Sequence, residues 1–248
     1  MGQHFLKNFA YAAKLAHAAS VKAGSLVVEI GPGKGVLTKA LLDQGARVIA
    51  IEKDEKLVDL LHEKFSGAIK TGKLEIIRGD IRDFVPQERE YAVAANIPYY
   101  ITGEIIRRFL TALHPPRTMA LLVQKEVAQR IVSEKESILS LSVKAYGEPR
   151  IAARVSRKHF SPAPSVDSAI LVIENVSKRF FDDMSEEQFF ALVHAGFSSK
   201  RKMLINNLAV FGKEKTLAAL AAYGIPAKAR AEDVALAQWK LLARELSG

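Results

Sequence analysis

Glu29-Ile30-Gly31-Pro32-Gly33-Lys34-Gly35 is the stretch on which the fold turns. It follows Leu26-Val27-Val28, which with Glu29 and Ile30 reads as a buried strand, and it opens a helical pattern over residues 35–43. Glycines at this spacing let the backbone turn sharply and pass close to a ligand. A second strand, residues 47–51, ends at Glu52, about 20 residues beyond the loop, where a carboxylate can accept hydrogen bonds from ribose hydroxyls. The spacing is Gly-x-Gly-x-Gly rather than Gly-x-Gly-x-x-Gly, and the acid at Glu29 would repel a pyrophosphate. A nucleoside without phosphates is therefore expected at Gly31 and Gly33. A nicotinamide-dependent oxidoreductase is an alternative reading, as is a tight strand–helix turn that binds nothing.

Outward from this loop, short β-rich runs alternate with helical patterns. An amphipathic helix is predicted over 53–65, and strands over 73–78, 92–95 and 119–123. Strands separated by helices argue for a doubly wound, mainly parallel α/β sheet. Residues 150–156 and 168–173 look like two further strands joined by a Pro-containing loop, an antiparallel pair at the sheet edge. From Ser185 onward the pattern is helical throughout, with Ser185-Glu186-Glu187-Gln188 offering an N-cap and a favourable first turn. The expected organisation is a Rossmann-like domain over 1–176 and a small all-α domain over 177–248.

Two more segments fall at the carboxyl edge of the predicted sheet, where ligands of open α/β sheets bind. Asp80, with Ile81 beside it, follows the third strand; its carboxylate suits the amine of a cofactor adenine, although such a residue is also an ordinary helix cap. Asn96-Ile97-Pro98-Tyr99 follows the fourth strand. The exocyclic N6 amine of adenine is a poor nucleophile, because its lone pair is delocalised into the ring. The Asn96 side-chain oxygen and the Pro98 backbone carbonyl can hold both N–H bonds and free that lone pair for attack on a sulfonium methyl. Such chemistry is positioning plus electrostatic stabilisation and needs no metal. Tyr99 can stack on an extruded base, and Phe160, from Phe160-Ser161-Pro162-Ala163-Pro164, could close its other face. Plain alternatives are a strand ending in a Pro turn with a buried Tyr, and a core Phe.

The 248 residues are 49% hydrophobic and 25% charged, enough for one large domain with an appendage. Absent cysteine excludes thiolate zinc sites and a cysteine nucleophile and fits a cytoplasmic protein. No stretch reaches the roughly 20 apolar residues of a membrane span. The net charge of +9 suits a polyanionic partner. Lys200-Arg201-Lys202 is the densest basic cluster. Arg157 and Lys158, with Arg150 and Arg154, form a second that leads into Phe160. Both are candidate RNA-phosphate sites that would flank the pocket; a solvated surface is the plain alternative.

Taken together, these motifs resemble the KsgA family of ribosomal RNA adenine dimethyltransferases over nearly the whole chain. Gly2-Gln3-His4-Phe5-Leu6 is similar to its N-terminal cofactor motif. Residues 29–35, Glu52, Gly79-Asp80 and 96–99 match in order and spacing. Gln124-Lys125-Glu126-Val127-Ala128, the proline-rich loop 160–169 and the basic segment 197–204 also resemble it. The resemblance implies a class I methyltransferase fold and S-adenosyl-L-methionine as cofactor, held by His4, Leu6, Gly31, Glu52, Asp80 and Asn96, with Gly33 and Ile81 in the same motifs. It implies as substrate two adjacent adenosines in the terminal hairpin of small-subunit ribosomal RNA, presented in a pre-30S particle. Tyr100 departs from the family, where many members carry a second Asn, and this bears on the shape of the target pocket. The motif opens the sequence, and a shorter N-terminal arm is expected to alter RNA affinity or the ordering of the N-terminus. An Erm-type enzyme acting on large-subunit 23S RNA has overlapping core motifs, and a ribosome-assembly factor acting mainly by binding is a further alternative. Nothing in the sequence demands more than a monomer. Because phosphate contacts release counterions, affinity for target RNA should fall steeply between low and moderate salt. Salt-independent binding would remove the phosphate role from both clusters.

Overall fold

The computed structural model describes residues 4–246. Gly2 and Gln3 of the N-terminal motif therefore lie outside the described residues. The chain divides into two compact units, Met1–Gln129 with Gly147–Ser177, and Arg130–Tyr146 with Lys178–Gly248.

The first unit opens with β1 (Phe5–Leu6) and α1 (Phe9–Ala18). It continues through β2 (Leu26–Ile30), α2 (Val36–Asp43), β3 (Arg47–Glu52), α3 (Glu55–Lys64), α4 (Ser66–Lys70), β4 (Leu74–Arg78), β5 (Ala92–Asn96), α5 (Thr102–Leu110) and β6 (Thr118–Gln124). β7 (Glu148–Val155), β8 (Phe160–Ser161) and β9 (Ser168–Glu174) complete it. Seven strands form one sheet in the order β4-β3-β2-β5-β6-β9-β7. The first five run parallel, and β9 and β7 add an antiparallel edge. This is the doubly wound sheet with an antiparallel rim that the sequence pattern predicts. The central strands read as continuous apolar runs because helices cover both faces; Val27, Val28, Val93, Ala94 and Leu121 are fully buried. β5 reaches one residue further than the apolar run suggests, since Asn96 still pairs with Leu122. Ala152 is the extra residue of a bulge in the β7–β9 pairing.

The sequence pattern misses β1 and β8, which pair antiparallel, Phe5 with Ser161 and Leu6 with Phe160. Two-residue strands carry no periodicity to detect. The pairing holds the N-terminus against the proline-rich loop, and a bond from the Lys7 amide to the His159 carbonyl (2.8 Å) extends it.

The second unit is helical. Its C-terminal part includes α6 (Glu186–Gly196), capped by the Ser185 hydroxyl, which accepts from the Gln188 amide as its sequence suggests. It also takes in Arg130–Tyr146, which the sequence reading leaves in the first domain. The physical reason lies in this unit's own contacts. The Glu136 amide donates to the Glu232 carbonyl (2.8 Å), and the Tyr146 ring packs on Phe181 and Phe190. Trp239, Phe189, Leu192 and Leu208 are its fully buried centre. Among the described residues no helix is long and apolar enough to cross a membrane.

The glycine loop depends on backbone that only glycine adopts easily. Gly31, Gly33 and Gly35 have φ of 62°, 57° and 74°. At Gly35 an added methyl would also sit 2.9 Å from Leu61 Cδ2 and press on the Phe65 ring. Gly35→Ala is expected to destabilise the protein by about 2–4 kcal/mol, combining left-handed strain with overpacking. The shift in denaturant midpoint measures it, and an unchanged midpoint would refute the packing account.

Candidate active site

The ends of β2, β3 and β5 meet at one edge of the sheet and there enclose a cleft lined by His4, Phe5, Gly31, Gly33, Glu52, Asn96, Ile97, Pro98 and Tyr99. An adjoining hollow shares Phe5, Gly31 and Asn96 with the cleft and is lined also by Leu6, Glu29, Pro32 and Lys34. The glycine loop, Glu52 and the 96–99 turn are thus brought together. Phe5 lies so close to Gly33 that a β-carbon there would overlap its ring, at 2.8 Å.

Glu52 is 4% exposed and bonded to backbone amides. Its Oε2 accepts from Gly33 N (3.1 Å), and Oε1 accepts from Lys53 N (2.9 Å) and Asp54 N (3.0 Å). A carboxylate offers about four acceptor positions, so Oε2 retains one, and Glu52 lines the cleft. Glu29 is the opposite case. It is fully buried and neither of its oxygens has a hydrogen-bond partner. The Thr38 hydroxyl and amide lie close enough to hold its acidity up somewhat, but the Thr38 hydroxyl makes no hydrogen bond in the structure. Burial dominates and pushes the Glu29 pKa up to about 8, with nearby Glu52 adding a smaller push.

Asn96 stands at the end of β5 with its Nδ2 donating to the His4 carbonyl (2.9 Å). Because a carbonyl only accepts, this bond assigns the amide: nitrogen toward His4, and Oδ1 away from it. The Pro98 carbonyl accepts from Ile101 N (3.2 Å), closing the one-turn helix Tyr99–Ile101, and keeps a second lone pair. The Tyr99 hydroxyl is bonded to Ser168 Oγ (2.8 Å), and its ring lies 6.0 Å from that of His4, inclined by 29°. Burial, the larger effect, raises the Tyr99 pKa, and it stays a neutral phenol. Ser168 carries no sequence signal for this role; it is simply the first residue of β9.

Other expected positions fall differently. Asp80 lies beside the site rather than in the cleft lining, with both oxygens engaged. Oδ1 accepts from Arg82 N and Nε (both 3.0 Å), and Oδ2 accepts from Arg82 Nη2 (2.7 Å) and Lys53 Nζ (3.0 Å). The Arg82 guanidinium, chiefly, holds its carboxyl well below the usual range. An adenine amine can reach Asp80 only by displacing one of these donors, and the single bond from Lys53, whose side chain is 73% exposed, is the weakest held. Ile81 is buried. Phe160 corrects the stacking expectation: it is 2% exposed, paired with Leu6 and packed into the core, and so has no free face for a base. Arg157 and Lys158 are exposed in the first unit, although the Arg157 guanidinium reaches the Ser165 carbonyl (3.3 Å). Lys200, Arg201 and Lys202 are exposed in the second unit. Among the described residues no three His, Asp or Glu side chains cluster as a metal site.

Comparison with known proteins adds an independent line. The family described as "Ribosomal RNA adenine dimethylase" matches residues 1–247. A "Ribosomal RNA small subunit methyltransferase A" of Dehalococcoides mccartyi is 39% identical over 100% of this chain and 88% of its own length. A "Ribosomal RNA small subunit methyltransferase, chloroplastic" of Arabidopsis thaliana is 34% identical over 95% of the chain and 75% of its own length. Among solved structures, the 23S rRNA methyltransferase ErmE superposes with a TM-score of 0.83 at 27% identity, covering 98% of this chain and 100% of that one. A dimethyladenosine transferase from Plasmodium falciparum gives 0.80 at 26% identity, covering 97% of each.

The buried Glu29 has a measurable consequence. Its carboxyl ionises near pH 4.5 in the unfolded chain and near 8 in the folded protein. Between these values the folded state holds the extra proton, so stability falls as pH rises through that window. Glu29→Gln, which keeps the shape and removes the charge, should raise the denaturant midpoint of the cofactor-free protein strongly at about pH 9 and far less at about pH 5. An equal effect at both would show that Glu29 is not the titrating group.

Proposed function

The chain belongs to the ribosomal RNA adenine dimethylase family, and from this we propose that it dimethylates N6 of two adjacent adenosines in the 3′-terminal hairpin of small-subunit rRNA, with S-adenosylmethionine as donor. The observation that carries the reading is the Asn96 amide, fixed at the sheet edge with its nitrogen on the His4 carbonyl.

The residues present fit this cofactor. It carries an ammonium, and Glu29 is a buried carboxyl without a partner, beside a glycine loop that leaves room for a ligand's backbone contacts. Glu52 keeps one acceptor for a ribose hydroxyl. Asp80 is offered to the adenine amine once Lys53 gives way. Bound in this way, the cofactor supplies an electrophilic methyl group on a sulfonium.

The chain's own contribution is to grip and orient the target. In the first transfer Asn96 Oδ1 and the free lone pair of the Pro98 carbonyl accept the two N–H bonds of the adenine amine, and in the second the one N–H that remains is held by one of them. This draws the nitrogen away from conjugation and leaves its lone pair free along the remaining direction. Both oxygens also stabilise the positive charge that grows on nitrogen as it takes the methyl group. Each N–CH3 bond forms as the sulfonium S–CH3 bond breaks, leaving a neutral thioether, and the displaced proton passes to solvent. The hydroxyl bond to Ser168 locks the Tyr99 ring, which offers one face to the extruded base. The basic residues 157–158 and 200–202 hold RNA phosphates. The substrate is a small-subunit RNA or pre-30S particle, met in the cytoplasm by a monomer.

A second reading, transfer to large-subunit RNA, is favoured by the likeness to ErmE. The full-length relatives named for the small subunit are more similar in sequence. Isolated small and large subunits offered with labelled cofactor separate the two: label in small-subunit RNA alone is expected, and label in large-subunit RNA would overturn the first reading. Asn96→Ala should slow methyl transfer by about 10²–10³-fold, the usual loss of one preorganised polar contact to a transition state, with RNA binding retained. Undiminished turnover would take Asn96 out of the mechanism.

A further inference from the structure

Just before the N-terminal strand, the His4 carbonyl reaches into the active site and touches the group on which the proposed chemistry depends. Its contact with Asn96 spans 92 residues of sequence and is partly buried. The opposite amide orientation would bring Asn96 Oδ1 against the His4 oxygen, two acceptors with no proton between them. The carbonyl therefore decides which end of the amide is left for a target amine.

The carbonyl is itself held in place. The His4 ring reaches the Pro162 carbonyl through Nδ1 (2.8 Å). As that carbonyl only accepts, Nδ1 carries the proton. The same ring lies against Tyr99, and the β1–β8 pairing fixes the next two residues, Phe5 and Leu6. His4 thus links three parts of the target side of the cleft: the proline-rich loop, Tyr99 and Asn96. Nothing in methyl transfer requires the imidazole to donate or accept a proton, and a ring whose Nδ1–H is committed to a backbone carbonyl is an anchor.

We propose that His4 is a positioning residue: its ring, tethered to the Pro162 carbonyl, holds its own backbone oxygen on Asn96 Nδ2 and so keeps Asn96 Oδ1 turned to receive the target adenine amine. This rests on the reading of Asn96 as the acceptor for that amine. The role is separate from any contact that His4 makes with the cofactor, because it acts through the main-chain oxygen and on the target side. It also predicts which replacement will work. An Asn side chain places its amide nitrogen the same number of bonds from the backbone as His Nδ1, and can donate to Pro162 in the same way. Alanine has no donor.

Single-turnover methyl transfer to isolated small subunits, at saturating cofactor, tests the proposal in His4→Ala, His4→Asn and Asn96→Ala proteins. S-adenosylhomocysteine affinity is measured on each by calorimetry. His4→Ala should transfer about 10–100-fold more slowly, as expected for misplacement of a reacting group by around an ångström, with S-adenosylhomocysteine affinity changed less than about threefold, below the tenfold that 1.4 kcal/mol represents. His4→Asn should recover most of the rate. Transfer by His4→Ala within twofold of the parent, or His4→Asn as slow as His4→Ala, would overturn the proposal. So would a loss of S-adenosylhomocysteine affinity as large as the loss of rate, which would make His4 a cofactor contact alone. Full activity in Asn96→Ala would instead overturn the underlying reading of Asn96, a distinguishable failure.

Discussion

The carboxylate of Glu52 accepting the amide protons of Gly33, Lys53 and Asp54 is the constraint on which the site is built. Gly33 belongs to the turn after β2, and Lys53 and Asp54 to the turn after β3. One buried acid therefore ties two adjacent strand ends and pulls the glycine loop into the left-handed backbone that only glycine tolerates without strain. Gly31 and Gly33 line the cleft with Asn96 at the end of β5, and Phe5 and His4 from the N-terminal segment complete its wall. The parallel sheet provides the spacing and Glu52 provides the closure.

Against this compensated acid stands an uncompensated one. Glu29 is buried one strand residue before the glycine loop with no hydrogen bond to either oxygen, and its raised pKa reports the cost. A core optimised for stability alone would hold a neutral residue there. Such costs are accepted where a ligand repays them, and an ammonium group is the natural complement of this carboxyl. Asp80 is different again: both its oxygens are engaged by Arg82 and Lys53, and the Lys53 side chain is the more exposed of the two donors.

Much of this was legible in the sequence. Continuous apolar runs mark β2, β3, β5 and β6, because strands buried on both faces carry no other pattern, and the glycine spacing with Glu52 marks the sheet edge where the cleft lies. Residues 96–99 stand out in the sequence only through their order after the glycine loop, Glu52 and Asp80, since alone they read equally as a strand ending in a Pro turn with a buried Tyr. What escaped were relations between distant segments. The β1–β8 pair is too short for periodicity, and so neither the fixing of Asn96 by His4 nor the burial of Phe160 against Leu6 could be read from spacing. The Ser168 bond to Tyr99 has no local signal either. Arg130–Tyr146 was read with the first domain because its few turns of helix continue the sheet's alternation in sequence, while its packing partners, Phe181, Phe190 and Glu232, lie far along the chain.

On the proposed mechanism a target adenine amine and a sulfonium methyl meet between Asn96 and the glycine loop. A crystal structure with a bisubstrate analogue, in which adenosine N6 is joined by a short linker to the cofactor's 5′ position, tests it most directly. Asn96 Oδ1 is expected at hydrogen-bond distance, about 2.9 Å, from the linked nitrogen, with Nδ2 still on the His4 carbonyl and a ribose hydroxyl on Glu52. An analogue bound with Asn96 turned away from that nitrogen, or with its ribose remote from Glu52, would contradict it.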